Sequence, residues 1–261
     1  MRYRFGWVSI VPMSLFLILP LGALLFGVNP TDIWSLVRES GAQQAIWVSV
    51  RSCTITLVVL LVFGTPLAWF IAMGTSGVVP FFRLLVDIPA ALPPAVSGLA
   101  LLLAFGPTGW IGSWLFHHGI NLPLSFSAVV CAQLLVSSPF YIRPLADGFR
   151  LIEQDFIEAA NLEGASRKAI IVNLVMPLIA PVLIGAASLA VSRALGEFGA
   201  TILFAGSFPG ITETIPIHIY QIFGENLNQA IGLGAMMLVI AAISSIVARS
   251  FGQWFMRRIQ S

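Results

Sequence analysis

Charged residues are so sparse along this chain that they cut it into long uncharged runs: Phe5–Thr31, Ser52–Phe82, Ile88–Ile142, Ala169–Ser192 and Asn226–Ala248. Each run exceeds the roughly 20 apolar residues that carry a helix across a bilayer. The run Ile88–Ile142 has room for two crossings. Its middle holds Gly106-Pro107-Thr108-Gly109, His117-His118 and Asn121, a turn-and-polar cluster that would strand backbone groups in lipid. The pattern therefore predicts six transmembrane helices, at Trp7–Val28, Ile46–Met73, Leu85–Phe105, Phe126–Ile142, Pro177–Phe198 and Gln229–Arg249. A closed barrel needs segments of alternating polarity, whereas Leu57-Val58-Val59-Leu60-Leu61-Val62-Phe63 is apolar on every side. The expected class is all-α, a polytopic membrane protein with a single transmembrane domain over residues 1–261.

Composition supports this: 58% of the 261 residues are hydrophobic and 9% are charged, against about 25% charged in soluble domains. Disorder, collagen-like repeats and a disulfide-stapled secreted module are excluded by the same values. Cys53 and Cys131 fall in predicted spans without a redox or metal spacing and read as small packing residues. Arg2 and Arg4 precede the first span as in a secretory signal. Its length and the want of a small-x-small cleavage site before Asn29 favour a retained anchor. Lys and Arg are held on the cytoplasmic side of short loops, and ten of the thirteen fall there if both termini are cytoplasmic.

Residues Arg143 to Pro177 break the pattern. Nine charges gather in this cytoplasmic stretch between spans four and five: Arg143, Asp147, Arg150, Glu153, Asp155, Glu158, Glu163, Arg167 and Lys168. Phe149, Ile152, Phe156 and Ala159-Ala160 recur at helical spacing, Gly164 supplies a helix stop, and Ser166 can cap a following helix. A solvated connector is one reading of this stretch and a docking surface is the other. Connections of about 2–8 residues suffice between bundled helices, so the excess length favours docking.

The residues Glu158-Ala159-Ala160, then Gly164, then Leu174-Val175-Met176-Pro177 resemble the EAA-x3-G-x9-I-x-L-P loop of permease subunits in bacterial ABC importers. Leu174 and Met176 depart from that pattern by apolar swaps of similar volume. Arg193-Ala194-Leu195-Gly196-Glu197-Phe198-Gly199-Ala200-Thr201 resembles the signature of permeases for sulfate, molybdate and tungstate. Leu92-Pro93-Pro94-Ala95-Val96-Ser97-Gly98 and Ser138-Pro139-Phe140-Tyr141-Ile142-Arg143 fit the same group, and Phe204-Ala205-Gly206 with Thr214-Ile215-Pro216 is more similar to its molybdate branch. The resemblance implies a type I importer permease fold in the cytoplasmic membrane. It also implies a homodimer, cytoplasmic ABC ATPase subunits and an extracytoplasmic oxyanion-binding protein as partners. Glu158, Ala159, Ala160 and Gly164 would then be the ATPase-coupling residues. No G-x-x-x-x-G-K-[ST] loop occurs, because the single lysine, Lys168, follows Arg167, so nucleotide hydrolysis is expected on a partner.

Arg193 and Glu197 stand four apart in or beside the fifth span, where each charge costs about 2.5–3.5 kcal/mol at the bilayer centre unless it is offset. Acid following base is the weaker order for a helix pair. The pair is expected either to line the pathway or gate for a divalent anion or to act as packing at a dimer seam. Asp87, ahead of Pro89 and Pro93-Pro94, marks an interfacial helix start or a gate. His117, His118 and His218 fall in predicted outer loops, and neighbouring histidines diverge, so no metal site is expected. No cofactor and no nucleic-acid partner are expected, and the surrounding partner is membrane lipid.

An intramembrane hydrolase would need a base or an acid pair inside the spans, where no histidine and only Asp87, near one end, is placed. An ion-coupled secondary transporter would need internal repeats and buried titratable groups. The reading is a transport subunit, not an enzyme, working by alternating access on molybdate or tungstate, with sulfate the alternative.

Overall fold

The computed structural model describes residues 4–27, 38–152, 160 and 162–260. Among them every regular element is helical. The first expected span is α1 (Arg4–Phe26), which carries Pro12 and Pro20 inside it. The second is a continuous 34-residue rod, Ser40–Met73. It consists of α2 (Ser40–Val59), a π-helical turn at Leu60–Gly64, and α3 (Thr65–Met73). The wide turn sets Gly64 and Thr65 against the fourth span: a Cβ on Gly64 would lie 3.0 Å from Tyr141 Cδ1, and Thr65 Oγ1 is 2.7 Å from the Tyr141 hydroxyl.

The third expected span, Leu85–Phe105, is not one helix. It divides into α4 (Val79–Ala91) and α5 (Pro94–Phe105), with Leu92 and Pro93 extended between them. Pro89, Pro93 and Pro94 remove three backbone donors within six positions, and the residue before a proline is driven out of the helical region. Pro94 instead opens α5, where its missing N–H costs nothing. At 12 residues α5 is about 18 Å long, too short to cross a bilayer by itself.

After a short α6 (Gly112–His117), the fourth span is α7 (Phe126–Arg150), capped by Ser125, whose Oγ accepts from Ala128 N at 3.3 Å. It runs beyond Ile142 and takes Arg143, Asp147 and Arg150 into the same helix. The fifth span starts earlier than Pro177, as α8 (Arg167–Ile170), a second π-helical turn at Ile171–Val175, and α9 (Met176–Leu195). Two short helices follow, α10 (Gly199–Ala205) and α11 (Ile215–Ile222), before α12 (Leu227–Gln260), which outruns the expected sixth span at its C-terminal end. Among the described residues four helical rods are long and apolar enough to cross a membrane. With α1 and the α4–α5 pair, they are consistent with the six expected spans.

The core is organised around α7. Its membrane-length window is 61% buried, against 22–28% for the other three rods, so α7 is the axis and the others present faces outward. It packs against α9, α3, α10, α2 and α4. One core lies along its C-terminal half, where Tyr141, Leu145 and Phe149 meet Ala68, Ile71, Val175 and Ile179. A second lies along its N-terminal half, where Ala128, Val129 and Ala132 meet Leu101, Ala200 and Phe204. The alanines of the second core and Gly98 let backbones approach closely there: a Cβ on Gly98 of α5 would stand 2.8 Å from the Ala200 carbonyl oxygen.

Candidate functional site

Two places hold the residues singled out from sequence. The first is the end of the fifth span. Helix α9 stops at Leu195, Gly196 turns the chain, and α10 begins at Gly199, so Glu197 lies just beyond the helix rather than on its face. The short connection still brings the two charges together, with Arg193 Nη1 3.0 Å from Glu197 Oε2. The other carboxylate oxygen accepts the Ala200 N–H at 2.7 Å and so satisfies a donor at the start of α10. Exposure separates the partners: the Glu197 side chain is 0% exposed and that of Arg193 is 29% exposed. The acid is therefore sealed into the protein while the arginine side chain keeps part of its surface open. Crowding fixes the joint, since a Cβ on Gly199 would come within 2.8 Å of Pro94 Cβ at the start of α5. Beside it, Phe198, Pro216, Ile219, Tyr220 and Phe223 line an open apolar groove of about 300 Å³.

The second place is the loop ahead of the fifth span. Gly164 has φ of +79°, the left-handed region that glycine occupies without a Cβ penalty. Around it Ala165 N–H donates to the Ala160 carbonyl at 3.0 Å, and Ser166 Oγ accepts from Ala169 N at 3.3 Å, capping α8. Ala160, Glu163, Ala165, Ala169, Ile170, Asn173 and Leu174 border an open groove of about 320 Å³. Glu158 and Ala159 lie outside the described residues. Of the coupling segment expected over 143–177, the first residues belong to α7 and the last to the fifth span.

Several polar contacts were not read from the sequence. Asp87 lies inside α4, which begins at Val79, so it does not mark a helix start, and it pairs with Arg143 on α7 at 2.6 Å. Arg150 reaches both Asp147 at 3.0 Å and the Ile71 carbonyl at 3.3 Å, joining the ends of α7 and α3. Inside the bundle, Thr56 Oγ1 donates to Gln133 Oε1 at 3.1 Å. His218 departs from expectation most. It sits on α11, buried, with Nδ1 2.5 Å from the buried Glu213 carboxylate, not in an outer loop. Ser49 on α2 anchors the same element by accepting the Ile215 N–H at 2.9 Å. His117 ends α6 and His118 follows it, each ring bonded to the carbonyl four residues back. Among the described residues no group of three His, Cys, Asp or Glu is arranged to hold a metal ion.

A family model described as "Binding-protein-dependent transport system inner membrane component" matches residues 64–261. The molybdenum transport system permease protein ModB of Mycobacterium bovis is 34% identical over 240 residues, covering 92% of this chain and 91% of that protein. The sulfate transport system permease protein CysW of Escherichia coli is 32% identical over 211 residues, 81% of this chain and 72% of that one. Among solved structures, a bacterial alginate ABC transporter in complex with an alginate-bound periplasmic protein superposes with a TM-score of 0.72 over 98% of this chain and 94% of that one, at 18% identity.

Proposed function

The chain belongs to the binding-protein-dependent transport system inner membrane components, the permease subunits of ABC importers, and from that premise we propose that it conducts molybdate or tungstate by alternating access. It is a multi-pass inner-membrane transport component rather than an enzyme. In the proposed complex two copies form the pathway, cytoplasmic ATPase subunits supply the energy, and an extracytoplasmic oxyanion-binding protein delivers the anion. Both termini lie in the cytoplasm, in keeping with the bias of basic residues.

The observation that carries the pathway reading is the unequal exposure of the Arg193–Glu197 pair. A partly open arginine can offer an oxyanion a forked donor, and the sealed carboxylate lowers the cost of keeping that cation in the bundle while no anion is present. The coupling reading assigns Glu158, Ala159, Ala160 and Gly164 to the ATPase contact. It is supported by the left-handed turn at Gly164 and by the groove behind it, which together offer a partner a small-residue surface. Movement of that surface would pass directly into the fifth span, because α8 starts at Arg167.

Likeness to ModB along nine-tenths of both chains favours molybdate. Likeness to CysW keeps sulfate as the second reading. The test is ATP-driven uptake by proteoliposomes holding this chain with its ATPase and binding protein. Molybdate and tungstate are expected to enter, and Arg193→Gln is expected to abolish uptake while leaving assembly intact. Faster sulfate uptake would replace the substrate, and full uptake by R193Q would remove Arg193 from the pathway.

A further inference from the structure

We propose that Arg51 holds the phosphate of a membrane phospholipid against α2, in the leaflet at the Ser40 end of that helix, which is the outer one in the orientation proposed above. The site involves none of the residues assigned to the pathway or to coupling, and it does not depend on which anion is transported.

Helix α2 has two unlike sides. Ser49, Ser52 and Thr56 are buried, and Thr56 is bonded to Gln133 of α7, whereas Trp47, Val50, Ile55 and Val58 are 37–67% exposed and make an apolar face. Thr54 is exposed as well, but its hydroxyl donates to the Val50 carbonyl at 2.7 Å and is satisfied within the helix, as hydrocarbon surroundings require. Arg51 is exposed beside these residues. Among the described residues its guanidinium meets no acid and no hydrogen-bond acceptor. Its partner is the ring of Phe126, the first residue of α7, with Cζ 4.8 Å from the ring centroid. The ring holds the cation in place but leaves its five N–H donors without an oxygen. A ligand rich in acceptors and negative charge completes them.

Depth and surroundings select that ligand. Near the far end of the same rod Arg150 donates to the Ile71 carbonyl at 3.3 Å. Arg51 and Ile71 are about 30 Å apart along the helix, the thickness of a bilayer's hydrocarbon core. Arg51 therefore falls at the boundary where lipid phosphates begin. Trp47 lies one turn farther out on the same side, in the interfacial zone that tryptophan favours. A phosphodiester at that level presents its free oxygens to the forked guanidinium, while its acyl chains run inward along Ile55 and Val58. A free oxyanion offers the same oxygens but gains nothing from the apolar face around the cation.

The experiment uses the full chain in maltoside micelles, which bring no phosphate of their own. Two lipids with the same photoactivatable acyl chain, a phosphatidylglycerol and a diacylglycerol, are added at equal mole fraction, and the label on α2 is mapped by peptide mass spectrometry. In the native protein phosphatidylglycerol is expected to label α2 roughly tenfold more than diacylglycerol does. Arg51→Gln is expected to abolish that preference, and Arg51→Lys, which keeps the charge, to retain part of it. Equal labelling by the two lipids in the native protein, or no labelling of α2 by either, overturns the proposal. A preference that persists in R51Q removes Arg51 as the holder. Suppression of phosphatidylglycerol labelling by added molybdate or inorganic phosphate makes a free oxyanion the occupant and overturns the lipid. If R51Q does not fold, the native ratio with and without molybdate decides: a preference that molybdate leaves intact supports the proposal, and any other result overturns it.

Discussion

Asp87 and Arg143 meet with Oδ1 and Nε 2.6 Å apart, tying the first half of the broken third span to the central helix α7. Both side chains are partly exposed, at 31% and 54%, which weakens the pair relative to a fully buried one even though Asp87 Oδ1 is covered. Arg143→Gln is expected to cost no more than about 1 kcal/mol of stability, and the exchange D87R/R143D to recover part of it. Thermal unfolding of the purified protein in detergent measures both. A loss of several kcal/mol would mean that the pair carries more than a screened surface contact.

Gly98 and Gly185 offer opposite outcomes for one kind of substitution. A Cβ on Gly98 meets backbone atoms of Ala200 at 2.8 and 2.9 Å, and backbone cannot swing aside as a side-chain tip does. Gly98→Val is expected to destabilise by about 1–3 kcal/mol. Gly185 sits inside α9 with nothing within 4 Å of its added Cβ, so Gly185→Ala is expected to stabilise by up to about 1 kcal/mol through helix propensity. Parallel melting curves separate the two.

Gly164 has open space around it but a φ of +79°, so what opposes a side chain there is backbone conformation alone. Gly164→Val is expected to strain the turn by about 1 kcal/mol or more without disturbing the cores. Co-purification with the ATPase subunit is expected to fall sharply while the melting temperature drops by only about 2–4 °C. Full retention of the ATPase would remove the turn from the coupling surface.

Removing His218 leaves the Glu213 carboxylate buried without its partner at 2.5 Å. His218→Ala is expected to cost about 1–3 kcal/mol. Gly41→Ala would press a methyl to within 2.9 Å of His218 Cε1 and is expected to act in the same direction, more weakly, because the ring can shift. Both are read from unfolding in detergent.

The membrane orientation can be read chemically. Glu163 is exposed beside the Gly164 turn, while Cys53 is buried and Cys131 half-buried, so native thiols give little background. Glu163→Cys is expected to react with an impermeant maleimide only from the cytoplasmic side. Labelling from outside intact cells would invert the topology.

Charge spacing revealed the spans because lipid allows few exceptions: a bare run of that length has one common use. The Gly164 turn and the Ser166 cap were legible because each is a local device that one residue type serves. Other features depend on contacts between distant positions. Nothing near His218 in sequence indicates that α11 folds back on α2, and Asp87 and Arg143 are brought together only by packing of α4 on α7. Helix α7 continues through Arg143, Asp147 and Arg150 because its Leu145, Ala146 and Phe149 face stays buried while the charges line the opposite side. A count of charges alone reads that amphipathic extension as the start of a loop. Arg193 and Glu197 meet across the end of the fifth span rather than along one helical face, and their unequal exposure is something spacing does not encode.

The π-helical turn at Leu60–Gly64 carries one residue more than an ordinary turn would, and its greater width absorbs that residue. Deleting a single residue from it would let the rod close into uninterrupted α-helix with the phase of everything beyond it almost unchanged. Ala68 and Ile71 would still face Tyr141 and Leu145. A loss of one codon further along the rod has no such slack to take up and would swing every later side chain by about 100°.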